Sequence, residues 1–492
     1  MTEKLLSELG LTAPLGGDRS VTGLSIDSRQ VKPGHLFAAL PGSRVHGGEF
    51  IQYALRMKAA AVLTDRQGAE IAADELAASD AVLITVEDPR AALAHAAALW
   101  FGAQPAQVVA VTGTNGKTSV ASFTRQIWAA LGHEAANIGT TGVEGAYSAP
   151  GIHTTPDPLT LHRLLADMAS EGVTHVAMEA SSHGLDQARM EAVHLAAAAF
   201  TNFSQDHLDY HATMEAYFAA KLRLFTELLP EETTAVVNMD DPHGAEVASA
   251  CERREIEVLT LAQYADDARL KITGRRMDET GQDVLFRWQD RPYQARLDLI
   301  GGFQAMNVLT AAGLVIGAGE EPEAVFNVLG QITGVRGRME LAARRRNGAP
   351  IYVDYSHTPD SLAIALQALR PHVLGRLVVV LGAGGDRDRG KRPLMGQAAA
   401  ENADVLIVTD DNPRSEDPGL IRAQVLAGCP GATEVGDRAE AILRGIDALA
   451  PGDALLIAGK GHETGQQVGD VVYPFDDVEQ ASVAVAALEG ME

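Results

Sequence analysis

The segment Val109-Ala-Val-Thr-Gly-Thr-Asn-Gly-Lys-Thr-Ser119 has the order of a strand, a glycine-rich turn and a helix start. A phosphate cradle needs that order. Gly113 and Gly116 let backbone N–H groups of the turn, with Thr114 and Asn115 between them, approach phosphate oxygens. Lys117 reaches the β/γ-phosphates, and Thr118, followed by Ser119, offers a hydroxyl to Mg²⁺. Val111 stands where the general nucleotide loop has its first glycine, so the match is incomplete. The plain alternative is a strand-to-helix turn that binds nothing; Gly-Lys-Thr at the junction favours the nucleotide.

Other apolar runs end in residues able to do related chemistry. Met178-Glu-Ala-Ser-Ser-His-Gly184 puts Glu179 at a run's end, where a hard carboxylate suits Mg²⁺; a solvated turn is the alternative. Thr201-Asn-Phe-Ser-Gln-Asp-His-Leu-Asp-Tyr-His211 gathers two His and two Asp, suited to a metal, to proton transfer, or to a hydrogen-bonding loop. Tyr217-Phe-Ala-Ala-Lys-Leu-Arg-Leu-Phe225 is an apolar helical stretch interrupted by Lys221 and Arg223. Local physics expects such a lysine to lie along the helix with its ammonium in water.

The elements that must hold these residues follow from the apolar runs: 108–111, 175–178, 197–200 and 235–237, then 377–381, 405–408 and 455–457. Short runs followed by helical patterns predict parallel strands buried on both faces, and ligands bind outside the carboxyl ends of such strands. Each run is followed within two residues by a Gly, Asn or charged residue. Residues 1 to about 100 read as a small α/β domain with strands near 20–26 and 60–64, and 102–107 with Pro105 as a linker. A second strand-and-helix alternation begins near Arg338.

Composition agrees. A chain of 492 residues exceeds one ordinary core, and 46% apolar content with 48 glycines suits a soluble multidomain α/β protein. The pair Cys251 and Cys429 supports neither a disulfide framework nor a zinc site, and fits a reducing compartment. The first ten residues carry Glu3 and Lys4 and no signal-like apolar run, and no apolar segment approaches the ~20 residues needed to cross a bilayer. The expectation is a cytoplasmic protein without membrane insertion. The formal charge of -25 argues against nucleic-acid partners and leaves small anions possible, given local cations and metal ions.

Together these segments resemble the Mur ligases, which extend the peptide of a cell-wall precursor. The resemblance rests on Thr112-Gly-Thr-Asn-Gly-Lys-Thr118, Glu179-Ala-Ser-Ser-His-Gly184, Asp206-His-Leu-Asp-Tyr-His211 and the Lys221 stretch. It continues through Gly302-Phe-Gln-Ala-Met-Asn307, Gly337-Arg-Met-Glu340, Asp354-Tyr-Ser-His-Thr-Pro-Asp360 and Gly384-Gly-Asp-Arg-Asp-Arg-Gly-Lys-Arg392. Asp411-Asn-Pro-Arg414 and Gly459-Lys-Gly-His-Glu463 complete it, in the family's order over nearly the whole chain. It implies three domains: a UDP-sugar-binding α/β domain at 1–103, a central ATP-binding domain with a mainly parallel sheet at 104–336, and a C-terminal Rossmann-like amino-acid domain at 337–492.

The likeness is greatest to members that add meso-2,6-diaminopimelate to UDP-N-acetylmuramoyl-L-alanyl-D-glutamate. It implies ATP and Mg²⁺ as cofactors; the chain is expected to act as a monomer. Lys117, Glu179, His207 and Lys221 are the implied catalytic set, with Lys221 carbamylated. Thr118, Glu179, His207 and that carbamate are the implied metal ligands. Asn307 and Arg338 join the nucleotide loop, with Asp354 and His357 nearby. The UDP-sugar peptide is expected at Ile26, Ser28, Thr154, Thr155, Ser181, Gln187 and Arg189. Diaminopimelate is expected at Arg387, Asp411, Asn412, Pro413, Arg414, Gly459 and Glu463. His153 and Gln304 depart from the asparagines common at those positions.

The expected reaction activates the terminal D-glutamate carboxylate as an acyl phosphate, which the incoming amine displaces. Arg414 can grip the distal carboxylate of diaminopimelate while Asp411 or Glu463 meets an ammonium. Lysine lacks that carboxylate and would leave Arg414 unpaired. From the residues alone, Asp-Asn-Pro-Arg reads more simply as a turn with a surface arginine. Two alternatives stand beside this reading. A folylpoly-γ-glutamate synthetase is opposed by the Asp-Asn-Pro-Arg element and the UDP-sugar region. A non-catalytic nucleotide scaffold is opposed by intact Lys117, Glu179, His207 and Lys221.

Overall fold

The computed structural model describes residues 3–13, 17–42, 45–151, 153–208 and 210–490. Asp209 of the histidine-rich turn lies outside them. Three larger sheets organise the chain. The first is wholly parallel, in the order Gly23–Ser25, His35–Ala39, Ala61–Thr64, Val82–Thr85. Its side chains alternate between two cores: Leu36, Ala38 and Leu63 enter one, Phe37, Ala39 and Val62 the other. Burial on both faces explains the unbroken apolar runs.

The ten-stranded central sheet runs Arg291–Leu297, Gly281–Trp288, Leu270–Asp278, Glu257–Ala262, Thr234–Asn238, Leu195–Phe200, Gln107–Thr112, His175–Glu179, Ala135–Gly139, Gly142–Gly145. The four apolar runs of this region are strands, mutually parallel in register. Val109, Val111 and Ala177 face one core, and Val108, Ala110 and Met178 the other. The chain leaves Gln107–Thr112 to build outward on both sides, a topological switch point that opens a crevice beyond that strand's carboxyl end. An antiparallel meander over 270–297 and the hairpin at 135–145 extend the sheet, and sequence periodicity did not indicate either.

The third sheet runs Glu340–Arg344, Pro350–Asp354, Ala454–Ala458, Leu377–Leu381, Val405–Val408, Thr433–Glu434. The three apolar runs of the C-terminal region are its parallel inner strands. Asp or Thr side chains cap many of the helices that return between strands, among them Asp157, Thr213, Thr358 and Asp417. Between the first two sheets, Gln104 ties the connecting segment down: its Nε2 donates to Ala192 O (2.8 Å) and its Oε1 accepts from His194 N (3.0 Å). Among the described residues no helix is long and apolar enough to cross a membrane.

Candidate active site

The turn after Gln107–Thr112 is built for close approach. Gly113 has φ 145° and Gly116 φ 89°, left-handed conformations that side chains resist. A Cβ on Gly113 would also lie 2.0 Å from Thr201 Oγ1, and one on Gly116 2.6 Å from Asn307 Oδ1. The neighbouring strand end braces the turn: Thr114 N donates to Asn202 O (2.8 Å), Asn115 N to Asn202 Oδ1 (2.9 Å), and Thr201 Oγ1 to Asn115 O (2.6 Å). The helix Lys117–Ala130 starts directly behind, aiming its N-terminal N–H groups and positive dipole end at the turn. Lys117 Nζ is held over the loop by the carbonyls of Gly113 (2.9 Å) and Thr114 (2.8 Å). Its pKa is lowered by burial, against the attraction of Glu179 and Asp206.

Glu179 ends its strand 1% exposed, with Oε1 accepting from Thr140 N (2.7 Å) and Oε2 from Thr140 Oγ1 (3.3 Å). Those bonds fix the carboxylate and leave lone pairs for a hard cation. Around it, five of the residues expected at the UDP-sugar peptide form one network. Thr154 Oγ1 lies 3.1 Å from Thr140 Oγ1, and Thr155 Oγ1 donates to Glu179 O (2.8 Å). Ser181 N and Oγ both donate to Thr155 Oγ1 (3.0 Å each). Arg189 Nη1 donates to Thr155 O (2.7 Å) and Nη2 to Gln187 Oε1 (2.8 Å). Ser28 opens the short helix Ser28–Gln30 on the N-terminal sheet, next to exposed Ile26; among the described residues neither hydrogen-bonds to that network.

Lys221 does not lie along its helix with the ammonium in water. It is 1% exposed, its Nζ donates to the same Gly113 carbonyl (2.7 Å), and it stands 4.5 Å from the centre of the Tyr217 ring. The helix Met214–Arg223 turns this face inward, against the phosphate loop, and no local periodicity reveals that. Burial, then Lys117, holds the Lys221 pKa well below the ordinary lysine range. His207 adopts φ 54° and lies 3.5 Å from Asp206. Burial pushes its imidazole down despite that carboxylate, so it is neutral near pH 7. Its ring meets His183 at 5.0 Å.

The third sheet closes on this corner. Arg338 Nη2 donates to Thr118 Oγ1 (3.2 Å), and its guanidinium lies 4.5 Å from the centre of the Tyr355 ring. Asp354 fixes the turn that carries Arg338 by accepting from Met339 N (2.7 Å). A cleft of about 1050 Å³ is lined from the central side by His183, Asp206 and His207. Its other wall includes Arg387, Asp411, Asn412, Arg414, Gly459 and Glu463. Pro413 does not line it; its carbonyl lies against Gly385. Arg414 has φ 50°, and Nη1 donates to Gly385 O (2.8 Å). Among the described residues it forms no ion pair, so it has unspent donors beside the cleft.

Three family models match the chain: the Mur ligase family catalytic domain at 20–101, the Mur ligase middle domain at 111–315, and the Mur ligase glutamate ligase domain at 337–461. The chain belongs to the Mur ligase family. It is 51% identical, over 95% of each chain, to the UDP-N-acetylmuramoyl-L-alanyl-D-glutamate–2,6-diaminopimelate ligase of Bradyrhizobium diazoefficiens. The Rhizobium meliloti ligase of the same name is 49% identical over 97% of each chain. A solved structure of a ligase with that name superposes with a TM-score of 0.72 at 33% identity, covering 99% of this chain and 100% of the other.

Two departures from the common Mur ligase pattern have different settings. Gln304 is buried, and its Oε1 accepts from Asn307 Nδ2 (3.1 Å), orienting the side chain that touches the phosphate loop. His153 is exposed beside the threonine pair. Sequence reasoning also missed Lys460, fully buried with Nζ donating to Asn412 Oδ1 (3.2 Å), Gln466 Oε1 (3.1 Å) and Gly465 O (2.5 Å). The hairpin Gly465–Val468 and Val471–Pro474 completes this frame, since Arg414 N donates to Gln467 O (3.1 Å). Lys460 lies inside the Gly459-Lys-Gly-His-Glu463 motif, the one signal for it that the sequence carries.

Proposed function

We propose that this Mur ligase couples ATP cleavage to amide formation between the terminal D-glutamate carboxylate of UDP-N-acetylmuramoyl-L-alanyl-D-glutamate and an amine of meso-2,6-diaminopimelate, in peptidoglycan precursor synthesis. The observation carrying the amine's identity is Arg414. Its guanidinium borders the same cleft as His207, carries no carboxylate partner among the described residues, and is fixed by backbone contacts. A second carboxylate on the amino acid satisfies it bidentately, while Asp411 and Glu463 face the ammonium end. Lysine leaves that guanidinium unpaired at a cost of several kcal/mol.

In the first step a carboxylate oxygen attacks the γ-phosphorus of ATP and the bond to the ADP oxygen breaks, giving acyl phosphate and ADP. Lys117 and the N–H groups of 113–118 hold the phosphoryl oxygens, and Arg338, next to Thr118, adds positive charge from the third sheet. Thr118, Glu179 and His207 fit Mg²⁺, as does Lys221 after carbamylation, which turns its amine into an oxygen donor. Bound there, Mg²⁺ supplies neutralisation of charge on the transferring group. Thr155, Ser181, Gln187 and Arg189 seat the acceptor beside Glu179, and Ile26 and Ser28 hold its nucleotide end. In the second step the amine nitrogen adds to the acyl carbon. The tetrahedral intermediate expels inorganic phosphate, and the amine's proton is lost.

The domains are taken as 1–103 for the UDP-sugar, 104–336 for ATP and 337–492 for the amino acid. The protein works as a monomer, since one chain supplies every set of site residues. It works in the cytoplasm, which suits its two buried free cysteines. Product masses after incubation with ATP, Mg²⁺, the nucleotide dipeptide and either diaminopimelate or L-lysine test the reading. The diaminopimelate adduct is expected to dominate; comparable turnover of both amines would overturn the specificity.

A further inference from the structure

At the opposite end of the central sheet, His133, His175 and Glu320 each bring one ligand atom within 4.8 Å of the others. No other trio of His, Cys, Asp or Glu among the described residues was found to do so. His133 follows the helix Lys117–Ala130, His175 begins the strand His175–Glu179, and Glu320 follows the helix Phe303–Gly317. None belongs to the ligase site: fourteen helical residues at ~1.5 Å each put this cluster roughly 20 Å from the phosphate loop.

We propose that this cluster is a structural site for a divalent transition metal, zinc by its donor set. Two imidazoles and one carboxylate are a zinc ligand set that leaves a fourth position for water. His133 Nε2 already lies 2.7 Å from Glu320 Oε1, so the ion takes the place of the proton they share. His175 Nδ1 is hydrogen-bonded to Thr174 Oγ1 (2.8 Å), an outer contact that orients a ligating ring and leaves Nε2 for a metal. Two helix C-termini meet here, and their negative dipole ends favour a cation. Ligand atoms on tetrahedral zinc stand roughly 3.4 Å apart, from bond lengths of ~2.1 Å. The side chains of His133 and Glu320, 31% and 27% exposed, have room to close that gap.

The consequence for the fold is specific. Each ligand sits on or just beyond an element whose other end serves the active site: Lys117 opens the first helix, Glu179 ends the strand, and Asn307 lies near the start of the second helix. A metal here clamps those elements to one another without touching substrate.

The test uses untagged full-length protein, stripped with chelator and kept in saturating ADP and Mg²⁺ so that the ligase site is occupied. Zinc bound after gel filtration is counted for wild type, His175→Asn and Glu320→Gln. Glu320→Gln changes a partly buried side chain conservatively and should fold normally. Wild type is expected to keep one zinc more than either variant, and zinc should raise the melting temperature of wild type by several degrees and of neither variant. Equal stoichiometry in all three proteins, with no zinc-dependent shift in wild type, overturns the proposal.

Discussion

Lys221 beside the central sheet and Lys460 beside the C-terminal sheet are equally buried, 1% and 0% exposed, yet their surroundings are opposite. Lys460 is saturated: it bonds Asn412, Gly465 and Gln466, with Glu463 at 3.4 Å and Asp411 at 3.9 Å. Lys221 has one carbonyl, one aromatic face and a second cation, Lys117, close enough to depress its pKa. A buried charge surrounded by acceptors is a fastener, and its removal should unfasten the loop it holds. A buried amine that burial and a neighbouring cation oppose more than Asp206 supports is destabilised as an ammonium and favoured as a neutral nucleophile. That is the form that adds to carbon dioxide to make a carbamate.

The largest effect is therefore expected at Lys221. Lys221→Ala should lower kcat by about a thousandfold, the several kcal/mol that a metal-borne charge contributes to phosphoryl transfer. Its melting temperature should hardly fall, because the amine that is lost is buried with few hydrogen-bond acceptors around it. Bicarbonate should restore part of the rate. In wild type, ¹³C-labelled carbon dioxide should give a carbamate signal near neutral pH. The signal should disappear on acidification through the lowered Lys221 pKa, whereas a surface lysine is protonated, and unreactive, well above neutrality. An unmodified Lys221 in fully active protein would remove the carbamate from the account.

Next comes Arg414. Arg414→Ala or Arg414→Lys should cost about a hundredfold in kcat/KM with diaminopimelate, because a bidentate grip is lost. Arg66→Ala, at a side chain 91% exposed, should change little. Equal losses at both would make Arg414 a structural residue like Lys460. Lys460→Met is the converse experiment. It should destabilise the protein by about 3 kcal/mol, the scale for removing one partner of a buried ion pair. It should also raise KM for diaminopimelate more than it lowers kcat, as the Asp411–Arg414 turn loosens. Denaturant titration and steady-state kinetics separate the two. The smallest effect is expected from Gln304→Asn. Shortening the acceptor of the Asn307 amide should raise KM for ATP about two- to fivefold, the value of one neutral hydrogen bond.

The same contrast explains what the sequence disclosed. Strand ends were legible, because buried parallel strands announce themselves as apolar runs and ligands gather where they stop. Thus 108–111, 175–178 and 405–408 are strands, and Lys117, Glu179 and Asp411 follow their ends. The meander over 270–297 was not legible, since its faces mix charged and apolar residues. Nor were contacts between distant segments. Lys221 meets Gly113 across 108 positions and Arg338 meets Thr118 across 220. On local periodicity Lys221 looked like any lysine on a half-apolar helix, and only the family resemblance pointed inward. Lys460 stands inside the Gly459–Glu463 motif, but nothing in its neighbours announces full burial.

The most direct test of the central claim follows oxygen. The nucleotide dipeptide, labelled with ¹⁸O in the terminal D-glutamate carboxylate, is turned over with ATP, Mg²⁺ and diaminopimelate, and the released phosphate is weighed. Activation as an acyl phosphate predicts one ¹⁸O in each phosphate formed with the amide product. Amide formation with unlabelled phosphate would contradict it, because the carboxylate oxygen would then never have been bonded to phosphorus.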